Sequence, residues 1–322
     1  MNETQNARPD AEKAGQSGAQ EQNFVSAVLY VSDDAARVPA FLARCARLLS
    51  RRFAHWELVC VNDASADGSA AAVRAFSKEN DVPVTLLNMS LRQGREKCMN
   101  AGVDMAIGDY VFEFDSLSAE FPDTLPEKAY ETALTGYDIV SVCPVRNRTA
   151  GSGLFYRVFN AFSHSRYGLQ TDAFRLLSRR AINRVRAVTP APPYRKAAYA
   201  ASGLAVCTLK DPGVRVDRGA AGPRLTLAVD SLALYTDAAY RFSFGVSVLM
   251  LAGTLAELIY TLAVYLSGAK PVEGWTTTMF VLTVGFFGVF AILTIVLKYL
   301  SLLVDLVFRR QKYLVESVEK LQ

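Results

Sequence analysis

The sequence predicts an α/β protein with a mostly parallel sheet, helices on both faces of that sheet, and a two-helix transmembrane hairpin after it. Two observations predict this class. Between residues 24 and 142, short apolar runs of strand length alternate with segments of helical spacing, which is typical of a parallel sheet covered by helices. Residues 242–297 carry only three charged side chains, Glu257, Lys270 and Glu273, which is too few for a water-exposed surface.

The elements follow in order along the chain. Residues 1–23 contain no apolar run and are rich in polar and small residues, which predicts a disordered tail without a secretory signal. The folded domain is expected to span residues 24–224. Its first half is predicted to contain strands at 24–31, 56–62, 82–87, 110–114 and 137–142, and helices at 38–49, 67–76, 96–106 and 126–134.

The second half of this predicted domain is strongly basic. Residues 146–224 contain 15 basic side chains against three acidic ones, whereas the whole chain has a net charge of only +4. This segment also contains helical stretches and loops rich in Pro and Gly. The charge predicts contact with anions, either a phosphate ligand or an anionic membrane surface.

Membrane-spanning segments are predicted between residues 242 and 300. The runs 242–266 and 275–297 are each long and apolar enough to cross a bilayer, and the short link 267–274 joins them. Residues 225–241 before them predict an amphipathic helix, lying on a membrane surface or packed as an ordinary helix. More basic residues flank the outer ends of the runs than the link. The positive-inside rule therefore places the domain and a C-terminal helix or tail, residues 301–322, in the cytosol.

Composition also excludes several classes of protein. The five cysteines are scattered, their number is odd, and no CxxC pair occurs, which favours reduced, cytosol-facing thiols over a disulfide framework or a zinc site. Neither a glycine-rich dinucleotide fingerprint nor a phosphate loop follows the first predicted strand. A dehydrogenase or an ATP hydrolase is therefore disfavoured.

Acidic side chains follow three of the predicted strands. Asp34, Asp63 and Asp115 stand just beyond strand ends, and Asp67 is close behind Asp63. Parallel sheets bind ligands at the carboxyl ends of their strands. Asp63 and Asp67 are suited to bonding a base or ribose, or else the motif serves to cap a helix through Ser65 or Asp67. Asp115 is suited to holding Mg²⁺ or Mn²⁺ against a diphosphate, or else to closing a turn.

Six segments together resemble one known family. They are SAVLYVSDD (26–34), VNDASADGS (61–69), GREKCMNAGVDMAIGD (94–109), AFRLLSRRAINRV (173–185), EGWTTTMF (273–280) and RRQKYLVE (309–316). In order and spacing, over roughly residues 24–320, they are similar to the membrane-anchored, polyprenyl-phosphate type of family 2 glycosyltransferases, of which dolichyl-phosphate mannose synthase is an example.

The resemblance implies a fold, an activity and a set of partners. The fold would be a GT-A-like, Rossmann-type nucleotide-sugar-binding domain. The activity would be transfer of a sugar from a nucleotide-sugar donor to polyprenyl (undecaprenyl) phosphate at the cytosolic face of a bacterial-type inner membrane, for cell-envelope glycan synthesis. The resemblance implies assembly of a homo-oligomer through the transmembrane helices. It implies no nucleic-acid partner.

The resemblance also implies roles for individual residues. Asp34, Asp63, Asp67 and Arg95 would serve the nucleotide sugar, Asp115 the metal, and Arg175 with Arg180 the acceptor. The chemistry adds Arg92, which together with Arg95 would neutralise the leaving diphosphate. It also adds Arg179, because guanidinium groups grip phosphate in a bidentate manner. Asp115 and Asp172 are the candidate catalytic carboxylates.

Two departures from the family pattern leave alternatives open. The acidic motif after the fourth strand is DSLSA (115–119), with Leu117 at the second acid, and the first acid of VNDASADGS is Asn62. One alternative is a transferase of the same fold that uses a hydroxyl acceptor, with Asp172, Glu113 or Glu120 as base. The other is a non-catalytic membrane scaffold with a decayed metal site.

Overall fold

A computed structural model describes residues 20–145, 170–188, 192, 194–216 and 313–321, together with scattered helical positions between 245 and 303. The described strands are β1 Val25–Val31, β2 Trp56–Asn62, β3 Val84–Met89, β4 Tyr110–Phe114, β5 Ile139–Pro144, β6 Phe174–Ser178, β7 Val206–Asp211 and β8 Val315–Leu321. The helices are α1 Val38–Arg52, α2 Ser69–Asn80, α3 Arg95–Met105, α4 Thr124–Leu134, α5 Arg179–Val188 and α6 Arg195–Ala201.

All of these strands belong to one mixed sheet with the order β7-β5-β6-β4-β1-β2-β3-β8. β6 runs antiparallel to both β4 and β5, and β8 runs antiparallel to β3. The other strands are parallel to one another. The predicted mostly parallel α/β sheet is therefore confirmed, and β1 is central because its side chains are apolar on both faces and buried.

Helices cover both faces of the sheet, as expected. On one face, α1, α2 and α4 enclose an aromatic cluster that includes Phe112, Phe114, Phe121 and Phe174. On the other face, α3, α5 and α6 pack against a second cluster that includes Val28, Val59 and Val61. Alternate side chains of β1 and β2 thus feed two separate cores.

The five strands and four helices predicted before residue 145 are confirmed, with boundaries that differ by a few residues. The largest differences are in α2, which starts at Ser69 and continues to Asn80, and in β3 and β5, which are shifted by two residues. β6 and β7 were not predicted from the sequence. β6 lies within the Arg-rich segment, where Arg175 interrupts its apolar residues and Arg179 follows its last residue.

The C-terminal prediction is wrong for residues 315–321. They form β8, an edge strand, instead of a helix or free tail, so the sheet includes a strand from beyond the predicted domain boundary at residue 224. Exposed and half-buried side chains alternate along this strand, although its apolar residues, Val315, Val318 and Leu321, are three apart in sequence, so the physical reason lies in its pairing with β3. β3 offers this segment an otherwise unpaired backbone edge.

The predicted tail 1–23 falls mostly outside the described residues, as do the amphipathic helix 225–241 and most of the two predicted spans. Within the described part of the chain, no helix combines the length and the apolar character needed to cross a bilayer.

Candidate active site

The carboxyl ends of β1, β2 and β4 bring most of the predicted donor residues to one edge of the sheet. After β1, Asp33 forms an ion pair with Arg92 and accepts the backbone N–H of Ala66 at 2.9 Å. These contacts join the loops that follow β1, β2 and β3. The structure therefore brings together Asp34, Asp63, Asp67, Arg92, Arg95 and Asp115, as the sequence predicted.

Two of these aspartates serve the loop structure directly. Asp67 accepts the backbone N–H of Ala35 at 2.8 Å and that of Ser69, the first residue of α2, at 3.0 Å. The hydrogen bonds from Ser69 and Ala35 lower the pKa of Asp67. Asp34 pairs with Arg37 at 2.7 Å. Asp67 therefore bonds the first residue of α2 and the loop after β1, although Gly68 occupies the N-cap position of this helix.

Asp63 is fully buried and its carboxylate is already bonded. One oxygen accepts the backbone N–H of Gln93 at 2.7 Å. The other accepts the hydroxyl of Tyr30 at 2.7 Å and the backbone N–H of Gly94 at 3.0 Å. Asp63 thus fixes the loop before α3, whereas the sequence analysis expected it to face the nucleotide.

A buried group of charged side chains, here called the charge cluster, lies beside this edge. Its acidic members are Glu96, Glu113, Asp115 and Asp172, and its basic members are Arg175, Arg195 and Lys196.

Arg195 is the centre of the charge cluster. Its Nε donates to Glu96 at 3.1 Å, its Nη1 to Glu113 at 2.7 Å, and its Nη2 to Asp115 at 2.5 Å. The residue is 0% exposed. Arg195 was not predicted from the sequence, because PPYRK has the composition of a loop. The available signal was Glu113 on a buried strand, since a buried carboxylate needs a cationic partner. The hydroxyl of Tyr199 also donates to Glu113, at 2.7 Å.

Arg175 also forms ion pairs with Glu113 and Asp115. Strand register places it opposite Glu113 in the antiparallel β4–β6 pair. Its Nη2 donates to Asp115, its Nε lies 3.0 Å from Asp172, and its Nη1 lies 3.3 Å from Glu113. Asp172 also pairs with Lys196. Both predicted catalytic carboxylates, Asp115 and Asp172, are therefore neutralised by buried cations.

These contacts set the protonation of the cluster. Burial alone would raise the pKa of Asp115, but the charges of Arg175 and Arg195 outweigh it and hold this pKa well below its usual range. Lys196 and Arg95 act in the same direction. Burial would likewise lower the pKa of Arg175, yet the carboxylates around it raise that pKa.

The residues around Asp115 do not fit a divalent metal ion. Both of its carboxylate oxygens bond to guanidinium groups, which repel a cation. Leu117, at the position of the second acid, is buried in the aromatic core. Among the described residues, no group of three or more Asp, Glu, His or Cys side chains is placed to hold a metal. These contacts do not support the metal role of Asp115, which stays a prediction.

The structure does not bring Arg179 and Arg180 to this edge. Arg179 donates to the backbone carbonyls of Gly108 at 2.9 Å and Ala106 at 2.8 Å, and Arg180 donates to Asp138 at 2.7 Å. These partners precede β4 and β5, so both arginines lie at the amino ends of the parallel strands. Only Arg175, of the three predicted phosphate ligands, is at the carboxyl edge.

A small pocket opens beside the charge cluster. It is lined by Asp172, Arg175, Lys196 and Tyr199, with Ser141 from β5 and Thr208 from β7 on its far side. Cationic and hydroxyl groups therefore face a cavity on the side where β5 and β7 extend the sheet.

Parts of this chain are similar in sequence to known glycosyltransferases. The family model described as glycosyl transferase family 2 matches residues 35–186. The undecaprenyl-phosphate 4-deoxy-4-formamido-L-arabinose transferase of Shewanella sediminis is 30% identical over 132 residues, which cover 41% of this chain and 39% of that protein. The chain thus matches well under half the length of this curated relative.

Two solved structures are similar in fold. The glucosyl-3-phosphoglycerate synthase of Mycobacterium tuberculosis, in complex with UDP, is 14% identical, covers 66% of this chain and 78% of its own, and has a TM-score of 0.50. The mannosyltransferase of Pyrobaculum calidifontis, in complex with GDP-mannose and Mn²⁺, is 17% identical, covers 83% of this chain and 87% of its own, and has a TM-score of 0.47. The first likeness supports the GT-A-like α/β fold.

Proposed function

We propose that this chain, whose residues 35–186 match the family model described as glycosyl transferase family 2, transfers a sugar from a nucleotide-sugar donor to polyprenyl phosphate. The observation that carries the proposal is the similarity of residues in this domain to transferases that are named for undecaprenyl phosphate. The predicted membrane hairpin is consistent with a lipid acceptor.

The donor side of the proposed site is the carboxyl edge of β1, β2 and β3. Arg92 and Arg95 are exposed there, at the end of the loop before α3 and at the first residue of α3. Guanidinium groups in this position stabilise the negative charge that develops on a departing nucleoside diphosphate. No step is assigned to a metal, because the contacts of Asp115 do not fit one.

The acceptor side is assigned to the pocket beside the charge cluster. Arg175 and Lys196 line it, and Asp172 neutralises part of their charge. A phosphomonoester with a second pKa of about 6 is already anionic near neutral pH. The acceptor phosphate therefore attacks the anomeric carbon without needing a strong base, and the nucleoside diphosphate leaves with the electrons of the broken bond.

The proposed location is the cytosolic face of the inner membrane, with both ends of the chain in the cytosol. This rests on the positive-inside rule and on the strand order, because β7 and β8 flank the predicted hairpin in sequence and belong to the same sheet. A chain that returns to its own sheet crosses the membrane an even number of times.

The test is transfer of label to lipid. The full chain, purified in detergent, is incubated with a set of radiolabelled nucleotide sugars and undecaprenyl phosphate, and label is counted in the organic phase. Arg95→Gln is expected to lower transfer at least tenfold. Arg184→Gln removes the same charge from an exposed position on α5 and serves as the matched control, with unchanged transfer expected.

Two other results would each assign a different function. Label that reaches only a hydroxyl acceptor would show a transferase of the same fold with another substrate. The absence of label, together with no thermal shift by any nucleotide, would favour the alternative of a non-catalytic scaffold. Two observations agree with that alternative: both carboxylate oxygens of Asp115 are already bonded, and Leu117 is buried.

A further inference from the structure

The C-terminal segment Tyr313–Leu321 contacts the loop that precedes α3, residues 90–94. The side chain of Gln93 donates to the backbone carbonyl of Leu314 at 2.6 Å and accepts the backbone N–H of the same residue at 2.9 Å. The backbone N–H of Ser90 donates to the same carbonyl at 3.2 Å. One side-chain amide thus satisfies both backbone groups of Leu314.

The same loop is bonded on its other side to Asp63. The backbone N–H groups of Gln93 and Gly94 both donate to this buried carboxylate. Gly94 has a φ of +85°, which a residue with a side chain rarely adopts. Gln93 therefore bonds through its backbone to the strand end of β2 and through its side chain to the C-terminal segment.

A chain of polar side chains makes a second connection. The Nδ2 of Asn62 donates to the Oδ1 of Asn88 at 3.0 Å, and the Nδ2 of Asn88 donates to Glu319 at 2.7 Å and Ser317 at 3.0 Å. Asn62 and Asn88 are buried. The family pattern has an acid at position 62, whereas this chain has Asn62, and its side-chain amide donates the hydrogen bond to Asn88.

From these contacts we propose that the C-terminal segment positions the donor loop, and that Gln93 is the positioning residue. The segment begins at Tyr313, after the predicted membrane hairpin, which ends at residue 300. Docking of β8 therefore determines whether Arg92 and Arg95, on either side of Gln93 and Gly94, are held where a nucleoside diphosphate meets them. The ligand named here rests on the proposed function, whereas the ordering of the loop does not.

The experiment uses Gln93→Leu in the full chain in detergent. Leucine has a similar size but loses both hydrogen bonds to Leu314, while its backbone N–H still reaches Asp63. We expect amide hydrogen exchange in residues 90–95 to accelerate at least tenfold, and the donor KM to rise about tenfold with kcat nearly unchanged, which is the size expected from losing one or two hydrogen bonds.

The matched control is Gln22→Leu, the same substitution at an exposed position before β1. It should change neither exchange nor KM. If Gln93→Leu leaves both exchange in 90–95 and donor KM at their original values, the proposal is overturned. If no nucleotide sugar binds to either protein, the proposed function fails, and the exchange rates alone decide whether the C-terminal segment orders the loop.

Discussion

At the scale of single residues, the main feature is that the side chains of the charge cluster pair with one another away from solvent. Arg195 contacts three carboxylates and is excluded from solvent. Glu113 is equally buried, and both basic partners that it has in this network are arginines. Removing one partner of such a network leaves a desolvated charge behind, which costs more than the pair itself contributes.

We therefore expect Arg195→Met to lower the free energy of unfolding by about 3–5 kcal/mol, because Glu113 and Asp115 then remain buried beside fewer cations. Chemical denaturation in detergent measures this change. Arg184→Met, at an exposed position of the neighbouring helix, should cost no more than about 0.5 kcal/mol. Equal effects of the two substitutions would contradict the assignment of Arg195 to a buried network.

The occupied oxygens of Asp115 give a prediction about metal. Calorimetric titration of Mn²⁺ into the nucleotide-free protein should show no saturable binding, because Arg175 and Arg195 already neutralise the carboxylate. The titration is made without nucleotide because a nucleotide carries its own metal. Saturable Mn²⁺ binding that is lost in Asp115→Ala would refute the prediction.

The depressed pKa of Asp115 also fixes the direction of a pH effect. A carboxyl whose pKa is lower in the folded state stabilises the fold fully above its unfolded pKa of about 4 and loses this contribution as the pH falls toward the folded value. The pKa values of Asp33, Asp67, Asp138 and Glu319 are shifted in the same direction. The melting temperature should therefore change little from pH 8 to pH 5 through these groups, and fall steeply below about pH 4.

Which site residues the sequence could predict follows from where their signal lies. Asp115 and Arg175 were predicted because each stands at a strand end or in a motif. No sequence motif around Arg195 or Tyr199 indicates their contacts. Both residues reach Glu113 only because β4 pairs with β6 and α6 packs over these two strands. The position of Arg179 was predicted incorrectly because three residues of β6 separate it from Arg175 along the sheet.

At the scale of elements, an apolar run buried on both faces is the clearest signal. The boundaries of β1, β2 and β4 were predicted to within one residue, because most of their side chains are apolar and buried. β6 and β8 were missed for different reasons. Arg175 interrupts the apolar residues of β6. In β8, four of the seven side chains are polar or charged, and the strand pairs with β3, more than two hundred residues away in sequence.

The contact between α3 and the sheet depends on one glycine. A Cβ on Gly102 would lie 2.4 Å from Cγ1 of Val28 and 2.7 Å from Cγ2 of Val61, both on fully buried strand residues. Gly102→Ala should therefore destabilise the protein by about 1–3 kcal/mol, although alanine normally favours a helix. Thermal or chemical unfolding measures the change.

Steric overlap also predicts a rescue. Val28→Ala in the Gly102→Ala background should recover part of the lost stability, so that the double variant is more stable than the sum of the single changes predicts. Strictly additive losses would place the cause of the destabilisation elsewhere than in this contact.

At the scale of the whole molecule, the sheet constrains the path of the chain outside it. β7 ends at Asp211 and β8 begins at Val315, and both are strands of one sheet. The two hydrophobic runs predicted between them, 242–266 and 275–297, are consistent with this because a pair of spans returns the chain to the side it left. A single span would separate the two strands by a bilayer.

Cysteine labelling in intact cells tests this topology. Of the native cysteines, four are buried and Cys207 is half-buried in the same domain, so an impermeant maleimide should not label the unmodified chain. Ala269→Cys, in the predicted link 267–274, should be labelled from outside. Lys320→Cys, exposed on β8, should react only after the membrane is permeabilised. Labelling of Lys320→Cys from outside would place β8 on the wrong side of the bilayer for a sheet that also contains β7, and would refute the hairpin.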